Sequence, residues 1–178
     1  TVWDENGMES EASEIAEFEI ALQHNAEWEA RWIHFDGNNP ACSSPSPYFR
    51  HEFSCGKEIA KARLYVTARG LFEARINGKR IGNDYFVPGW TDFSQQIQYM
   101  SYDVTGSLKS GNNTIGAILG DGWYCGYLSG RRRNLYGAYP EFLARLEILY
   151  KDGTSEAITS GEGWKTATGP ILYSDIYD

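Results

Sequence analysis

The sequence is poor in the residues that staple or metallate small domains. Among 178 residues there are three cysteines (Cys42, Cys55, Cys125) and three histidines (His24, His34, His51). No CxxC occurs, and the cysteine spacing fits no zinc pattern. An odd count excludes full intramolecular pairing. A Cys42–Cys55 bridge would close one loop, but free thiols are the favoured expectation. The histidines stand apart without triad or metal spacing, and no GxSxG or Cys–His arrangement appears. No apolar run approaches the roughly 20 residues of a membrane span, and no segment has the pattern of a signal peptide. Positive charge is scarce too: 16 Lys and Arg against 24 Asp and Glu give a net charge of −8. Phosphate backbones need a basic field, so this balance argues against nucleic acid, and Arg131-Arg132-Arg133 is too short a run to reverse it.

What is plentiful is aromatic surface: twelve Tyr, eight Phe and six Trp. Such residues favour strands. They also suit sugar recognition, where a flat ring covers the apolar face of a pyranose. The plain alternative is that most of these rings are core. The length fits one domain able to bury an ordinary core, together with a fragment of a neighbour.

The chain is organised around Arg63 to Trp90. Leu64, Val66 and Ala68 alternate with other positions, Gly70 interrupts, and Phe72, Ala74 and Ile76 resume the alternation, as half-buried strands do. Asn77-Gly78 then tolerates the positive φ angles of a type I′ turn, and Lys79-Arg80-Ile81 is the return strand. Gly82-Asn83-Asp84-Tyr85 and Pro88-Gly89-Trp90 follow as a polar and aromatic loop.

Before this unit, residues 1–22 read as the last hairpin of a preceding β-sandwich, with Phe18, Ile20 and Leu22 alternating as its closing strand. A helix over Glu9 to Phe18 is the alternative reading. A helical turn is expected near Trp28, an edge strand over Trp32–Phe35, a Gly/Pro/Ser/Asn loop over 36–47, and a strand over Tyr48–Ser54. Lys57–Ala62 is charged and expected to face solvent. After the unit, strands are expected over Gln98–Val104, Thr114–Leu119, Phe142–Tyr150, Ser155–Ile158 and Gly163–Ala167. Eight to ten short strands with turns every 8–12 residues predict an all-β protein, an antiparallel jelly-roll β-sandwich over residues 23–178 with loops gathered at one edge.

Gly120 to Pro140 is a long aperiodic stretch, rich in Gly, Tyr and Arg, and loops of that length in compact domains usually carry function. Its Gly120-Asp121-Gly122…Gly126 has the wrong spacing for a phosphate loop and lacks the Lys and Ser/Thr. In a jelly roll this loop and the one after the Asn-Gly hairpin can meet. They would bring together Asn83, Asp84, Asn134 and the Tyr136–Pro140 segment. Carboxylate, amide and carbonyl oxygens are what Ca²⁺ takes, and sugar hydroxyls can complete its shell. The competing reading is that Asn83-Asp84 merely makes a turn. Sequence shows no facing pair of catalytic carboxylates.

The blocks ARLYVTARGLFEARINGKRIGNDYFVPGWTDFSQQIQYMSYDVT, GAILGDGWYCGYLSGRRRNLYG and GPILYSDIYD, in that order, resemble the N-terminal β-sandwich module of bacterial α-L-rhamnosidases, glycoside hydrolase family 78. The likeness covers residues 55–178. The opening TVWDENG…FEIAL is similar to the end of the fibronectin-like domain that precedes this module. The resemblance implies a galactose-binding-domain-like jelly roll that stands before an (α/α)₆ catalytic barrel, so no catalytic residue is expected in this chain. It also implies a calcium-dependent L-rhamnose site, as in some members. The implied metal ligands are Asn83, Asp84, Asn134 and the carbonyl near Tyr139 or Pro140. The sugar-binding candidates are Asn83, Asp84, Trp123, Tyr124, Asn134 and Tyr136. The expected partners are rhamnose-containing glycans or glycosides and the catalytic domain of the same protein. The alternative function is purely structural: a domain packed on the barrel, with Trp123, Tyr124 and Tyr127 as interface.

Overall fold

Alternating apolar positions build two facing sheets. The computed structural model describes residues 1–16, 18–128 and 132–177, and among these it forms nine strands. They are β1 (Pro47–Cys55), β2 (Ile59–Arg69), β3 (Leu71–Ile76), β4 (Lys79–Arg80), β5 (Met100–Asp103), β6 (Gly111–Gly120), β7 (Glu141–Tyr150), β8 (Ser155–Thr159) and β9 (Lys165–Thr168). All paired neighbours run antiparallel, in one sheet ordered β4-β3-β6-β1-β9 and another ordered β5-β2-β7-β8. The result is the jelly-roll β-sandwich expected from the strand pattern.

The inward set of β2 (Ala62, Leu64, Val66, Ala68) and of β7 (Phe142, Ala144, Leu146, Ile148) meets that of β3 (Phe72, Ala74, Ile76) and β6 (Ile115, Ala117, Leu119) in one buried core. Each fully buried Leu, Ile or Phe contributes roughly 1.5–3 kcal/mol of transfer free energy. The outer face of β2 and β7 is covered as well. Tyr65 and Leu143 lie there beneath Trp28, Trp32 and Tyr99. That second layer explains why β2 is buried on both faces over Leu64–Ala68.

The two alternating runs on either side of Gly70 turn out to belong to opposite sheets. Gly70 takes φ +118°, and a Cβ there would lie 2.4 Å from the Gly120 carbonyl oxygen and 3.1 Å from Pro140. The chain crosses between sheets at this point because only glycine fits both constraints. At the far end of β3 the Asn-Gly turn forms as expected, with φ +51° at Asn77 and +80° at Gly78. It is pinned by a buried amide: Asn113 Oδ1 accepts from Asn77 Nδ2 at 2.9 Å, and Asn77 Oδ1 accepts from the Thr114 N–H at 3.0 Å.

Some expectations change. Lys57–Ala62 does not simply face water: β2 begins at Ile59 and Ala62 is buried, because the strand extends to pair with the end of β7. Trp32–Phe35 is reduced to a single bridge, Ile33 to Phe142. Neither the strand over Phe18–Leu22 nor the helix over Glu9–Phe18 forms among the described residues. A bridge between Trp3 and Glu9 closes the opening turn, and Phe18 and Ile20 are exposed. Two short segments with no sheet to join have nothing to bury against. The three cysteines are free thiols, Cys55 and Cys125 buried and Cys42 exposed. No helix among the described residues is long and apolar enough to cross a membrane.

The crossover generates a contrast measurable by urea unfolding. Gly70→Ala should cost roughly 2–4 kcal/mol, since strain and a backbone clash combine. Gly78→Ala meets open space and should cost only about 1 kcal/mol of backbone strain.

Candidate functional site

Two loops gather where β2 gives way to β3 and β6 runs out. The first follows β4. Gly82 sits so close to β5 that a Cβ would lie 2.5 Å from the Tyr102 ring. Asp84 comes next, its Oδ2 accepting from the Tyr102 hydroxyl at 3.0 Å and its backbone carbonyl accepting from Arg80 Nη2 at 2.5 Å. The Arg80 guanidinium also stacks on Tyr85, 4.6 Å from the ring centroid. Asn83 and Asp84 are both exposed. The loop then returns towards the sheet crossover, where the Phe72 N–H donates to the Val87 carbonyl at 3.0 Å.

The second loop opens with one helical turn, α1 (Gly122–Cys125), placing Trp123 outward and Tyr124 inward. Trp123 stacks on Trp90 of the first loop, with centroids 6.0 Å apart and planes 7° from parallel, and tilts against Phe86 at 6.2 Å. Tyr124 is buried with its ring edge-on to Phe93 at 5.4 Å, and Tyr136 meets Phe93 edge-on at 5.2 Å. The loops therefore join through two aromatic groups, an outer one of Phe86 and Trp90 on Trp123 and an inner one of Phe93 on Tyr124 and Tyr136. Phe86 (62% exposed), Trp90 (51%) and Tyr85 (76%) still present large apolar area to water.

The second loop is held from below by buried charge. Arg133 Nη2 donates to Asp121 Oδ2 at 2.8 Å and Nη1 to Asp175 Oδ2 at 2.5 Å, with the three side chains 8%, 5% and 3% exposed. Asp175 also accepts from the Tyr127 N–H at 2.9 Å and from the Ser43 hydroxyl at 2.9 Å. The Cys125 thiol donates to Asp121 Oδ1 at 3.5 Å. Burial pushes the Asp121 carboxyl above its usual range and the Cys125 thiol upward, so Cys125 is a protonated donor rather than a nucleophile. One cation thus ties together the start of the loop, its far limb, the stretch around Ser43 and the chain near residue 175.

The residues singled out from sequence fall into separate neighbourhoods. Asn83 and Asp84 lie over the β4–β5 edge. Trp123, Tyr124 and Tyr136 belong to the aromatic cluster, where Tyr124 supports the others from beneath. Asn134 takes φ +61° and donates through Nδ2 to the Pro40 carbonyl at 2.6 Å. Its Oδ1 is buried without a hydrogen-bond partner among the described residues. Pro140 is buried against Gly70. No hydrogen bond among the described residues links Asn83 or Asp84 to Asn134. Sequence reasoning missed Phe93 and Trp90 as the residues that join the loops. It also missed the Asp121–Arg133–Asp175 cluster, whose only signal was a basic run in an acidic chain.

A sandwich of this topology with an aromatic loop face is a galactose-binding-type jelly roll. Residues 57–178 match the family model described as the α-L-rhamnosidase N-terminal domain, and the chain belongs to that family. It is 41% identical over 187 residues to an α-L-rhamnosidase of Alteromonas sp. (strain LOR), covering 99% of this chain and 20% of that protein. The crystal structure of Streptomyces avermitilis α-L-rhamnosidase complexed with L-rhamnose matches at TM-score 0.73 and 47% identity, over 75% of this chain and 13% of that one. Native α-L-rhamnosidase from Aspergillus terreus matches at TM-score 0.85 and 40% identity, over 88% and 19% respectively. The chain thus spans a fifth or less of these relatives.

Two outcomes follow from this geometry. Removing one partner of the buried cluster, as in Asp175→Asn, should cost about 3–5 kcal/mol in urea unfolding. Burial first, and the Asp84 hydrogen bond and charge next, push the Tyr102 phenol up to about 12. The folded state then keeps a proton that the unfolded chain loses near pH 10, so this group's contribution to stability falls as pH rises from about 10 to about 12. Asp84→Asn should bring the Tyr102 transition to lower pH in an ultraviolet absorbance titration; an unmoved transition would break the Asp84–Tyr102 link.

Proposed function

We propose that this domain is a non-catalytic accessory module of an α-L-rhamnosidase and that its two-loop face holds terminal L-rhamnose. The observation that carries the reading is the Trp90–Trp123 stack, which joins the loop bearing Asn83 and Asp84 to the long loop bearing Asn134 and Tyr136. Exposed rings offer a surface for the sugar's methyl group and apolar face, while the amide and carboxylate of Asn83 and Asp84 stand in the same loop to take its hydroxyls. The Streptomyces enzyme crystallised in complex with L-rhamnose, a ligand compatible with this substrate class.

Calcium belongs to the same proposal. Its donors would be Asn83, Asp84, Asn134 and the Pro140 carbonyl, all hard oxygens, although Asp84 is held on Tyr102 and Asn134 on Pro40, so the four do not stand together as a preformed ligand set. The buried Oδ1 of Asn134, without a hydrogen-bond partner among the described residues, supports a role for that residue. When bound, the ion would bridge protein oxygens to sugar hydroxyls.

A second reading has its own support. The exposed Tyr85, Phe86 and Trp90 form an apolar patch on a chain that spans only 20% of its Alteromonas relative, as a face packed on the catalytic domain would. The two separate by calorimetric titration of L-rhamnose with Ca²⁺ and then with excess EDTA. The first reading expects a part of the heat that is lost in EDTA, with a micromolar-to-millimolar Kd (a binding free energy of roughly −8 to −4 kcal/mol), and at least tenfold weakening of that calcium-dependent part in Asp84→Ala. No heat in either condition would leave the packing role.

A further inference from the structure

A cleft on the other side of the four-stranded sheet has the chemistry of a ligand site, and neither rhamnose binding by the loops nor packing on a barrel uses it. It encloses about 510 Å³ between the 22–32 segment and the 93–99 loop, with Thr67, Arg69 and Leu143 as its floor. That volume is within the roughly 300–1,000 Å³ range typical of small-molecule sites. Its walls are tied in place. The Tyr99 hydroxyl donates to the Leu22 carbonyl at 2.7 Å, the Thr67 hydroxyl to the Gln98 carbonyl at 2.6 Å, and Trp28 meets Tyr99 edge-on at 5.4 Å.

The lining selects the ligand. Trp32 supplies an aromatic surface, and the Arg69 guanidinium lies over that ring at 4.6 Å. Arg69 is oriented by Glu141, with Nη1 donating to Oε2 at 2.5 Å. Among the described residues its other N–H groups have no protein acceptor and are not buried without one. Gln23, Asn25, Gln95 and Gln96 add exposed amides, which both donate and accept. No carboxylate lines the cleft among the described residues, so it offers no ligands for a hard cation. Glu141 already neutralises Arg69, so an anion gains little. An aromatic ring, a pre-oriented guanidinium and adaptable amides together match a neutral, hydroxyl-rich ring.

We propose that this cleft is a second saccharide site, one that takes a neutral sugar without calcium. It does not depend on the two-loop reading, and the test tells them apart. The probe is rutinose, a neutral rhamnosyl-glucose disaccharide, titrated calorimetrically into the whole chain at up to tens of millimolar. Heat should persist in excess EDTA and be unchanged in Asp84→Ala. Trp32→Ala should weaken that binding roughly tenfold. Because Trp32 also packs on the outer layer, the Gln95→Ala/Gln96→Ala double variant, altering exposed side chains, is the companion. It should weaken binding about fivefold or more through lost hydrogen bonds. No heat in EDTA overturns the cleft, as does EDTA-resistant heat that both variants leave at wild-type affinity. Heat that appears only with calcium and vanishes in Asp84→Ala would keep the loop site and remove this one.

Discussion

The Arg133 guanidinium sits out of water between the carboxylates of Asp121 and Asp175, and the shape of the loop face depends on it. Burying one cation with two anions is costly in desolvation, and it persists because other donors complete the set: the Tyr127 N–H and Ser43 hydroxyl on Asp175, and the Cys125 thiol on Asp121. The desolvation that raises the Asp121 carboxyl's pKa also strengthens each of these bonds. A long glycine-rich loop without periodicity would otherwise sample many conformations. Here its two limbs are tied to each other and to two distant stretches of chain.

The aromatic contacts take their positions from that anchoring. α1 starts immediately after Asp121, so fixing Asp121 fixes the direction in which Trp123 leaves the surface and Tyr124 enters it. Trp90 and Phe93 then close on these rings from the other loop. The first loop has its own tether, the Asp84–Tyr102 hydrogen bond to β5, reinforced by Arg80. Each loop is therefore held at its root by polar bonds and joined to the other through rings, an arrangement that leaves Asn83, Asp84 and Trp90 facing water.

The four-stranded sheet is covered on both sides. Inward residues of β2 and β7 fill the core, while their outward residues, Tyr65 and Leu143, lie under a partial third layer of tryptophans and Tyr99. An incomplete layer over a sheet leaves a cleft at its margin, and here that margin carries Trp32, Arg69 and four amide side chains. The loop face and the cleft both draw on aromatic residues that lie outside the main core.

Local patterns in the sequence determined most strands of the two sheets, the Asn-Gly hairpin, the all-β class and the two loops of interest, because alternation and turn chemistry act between neighbours in the chain. The family was legible for the same reason, in blocks of consecutive residues. Only the tertiary structure decided that the runs flanking Gly70 lie in opposite sheets, since that depends on Gly120 and Pro140 approaching from elsewhere. It alone paired Arg133 with Asp175, 42 residues away, and Trp90 with Trp123. It also placed Asp84 against Tyr102 and Asn134 against Pro40, where sequence had grouped the two as one ligand set. Partners that meet through folding leave no periodicity behind, so charge, ring and amide pairings of this kind are read from the packed molecule.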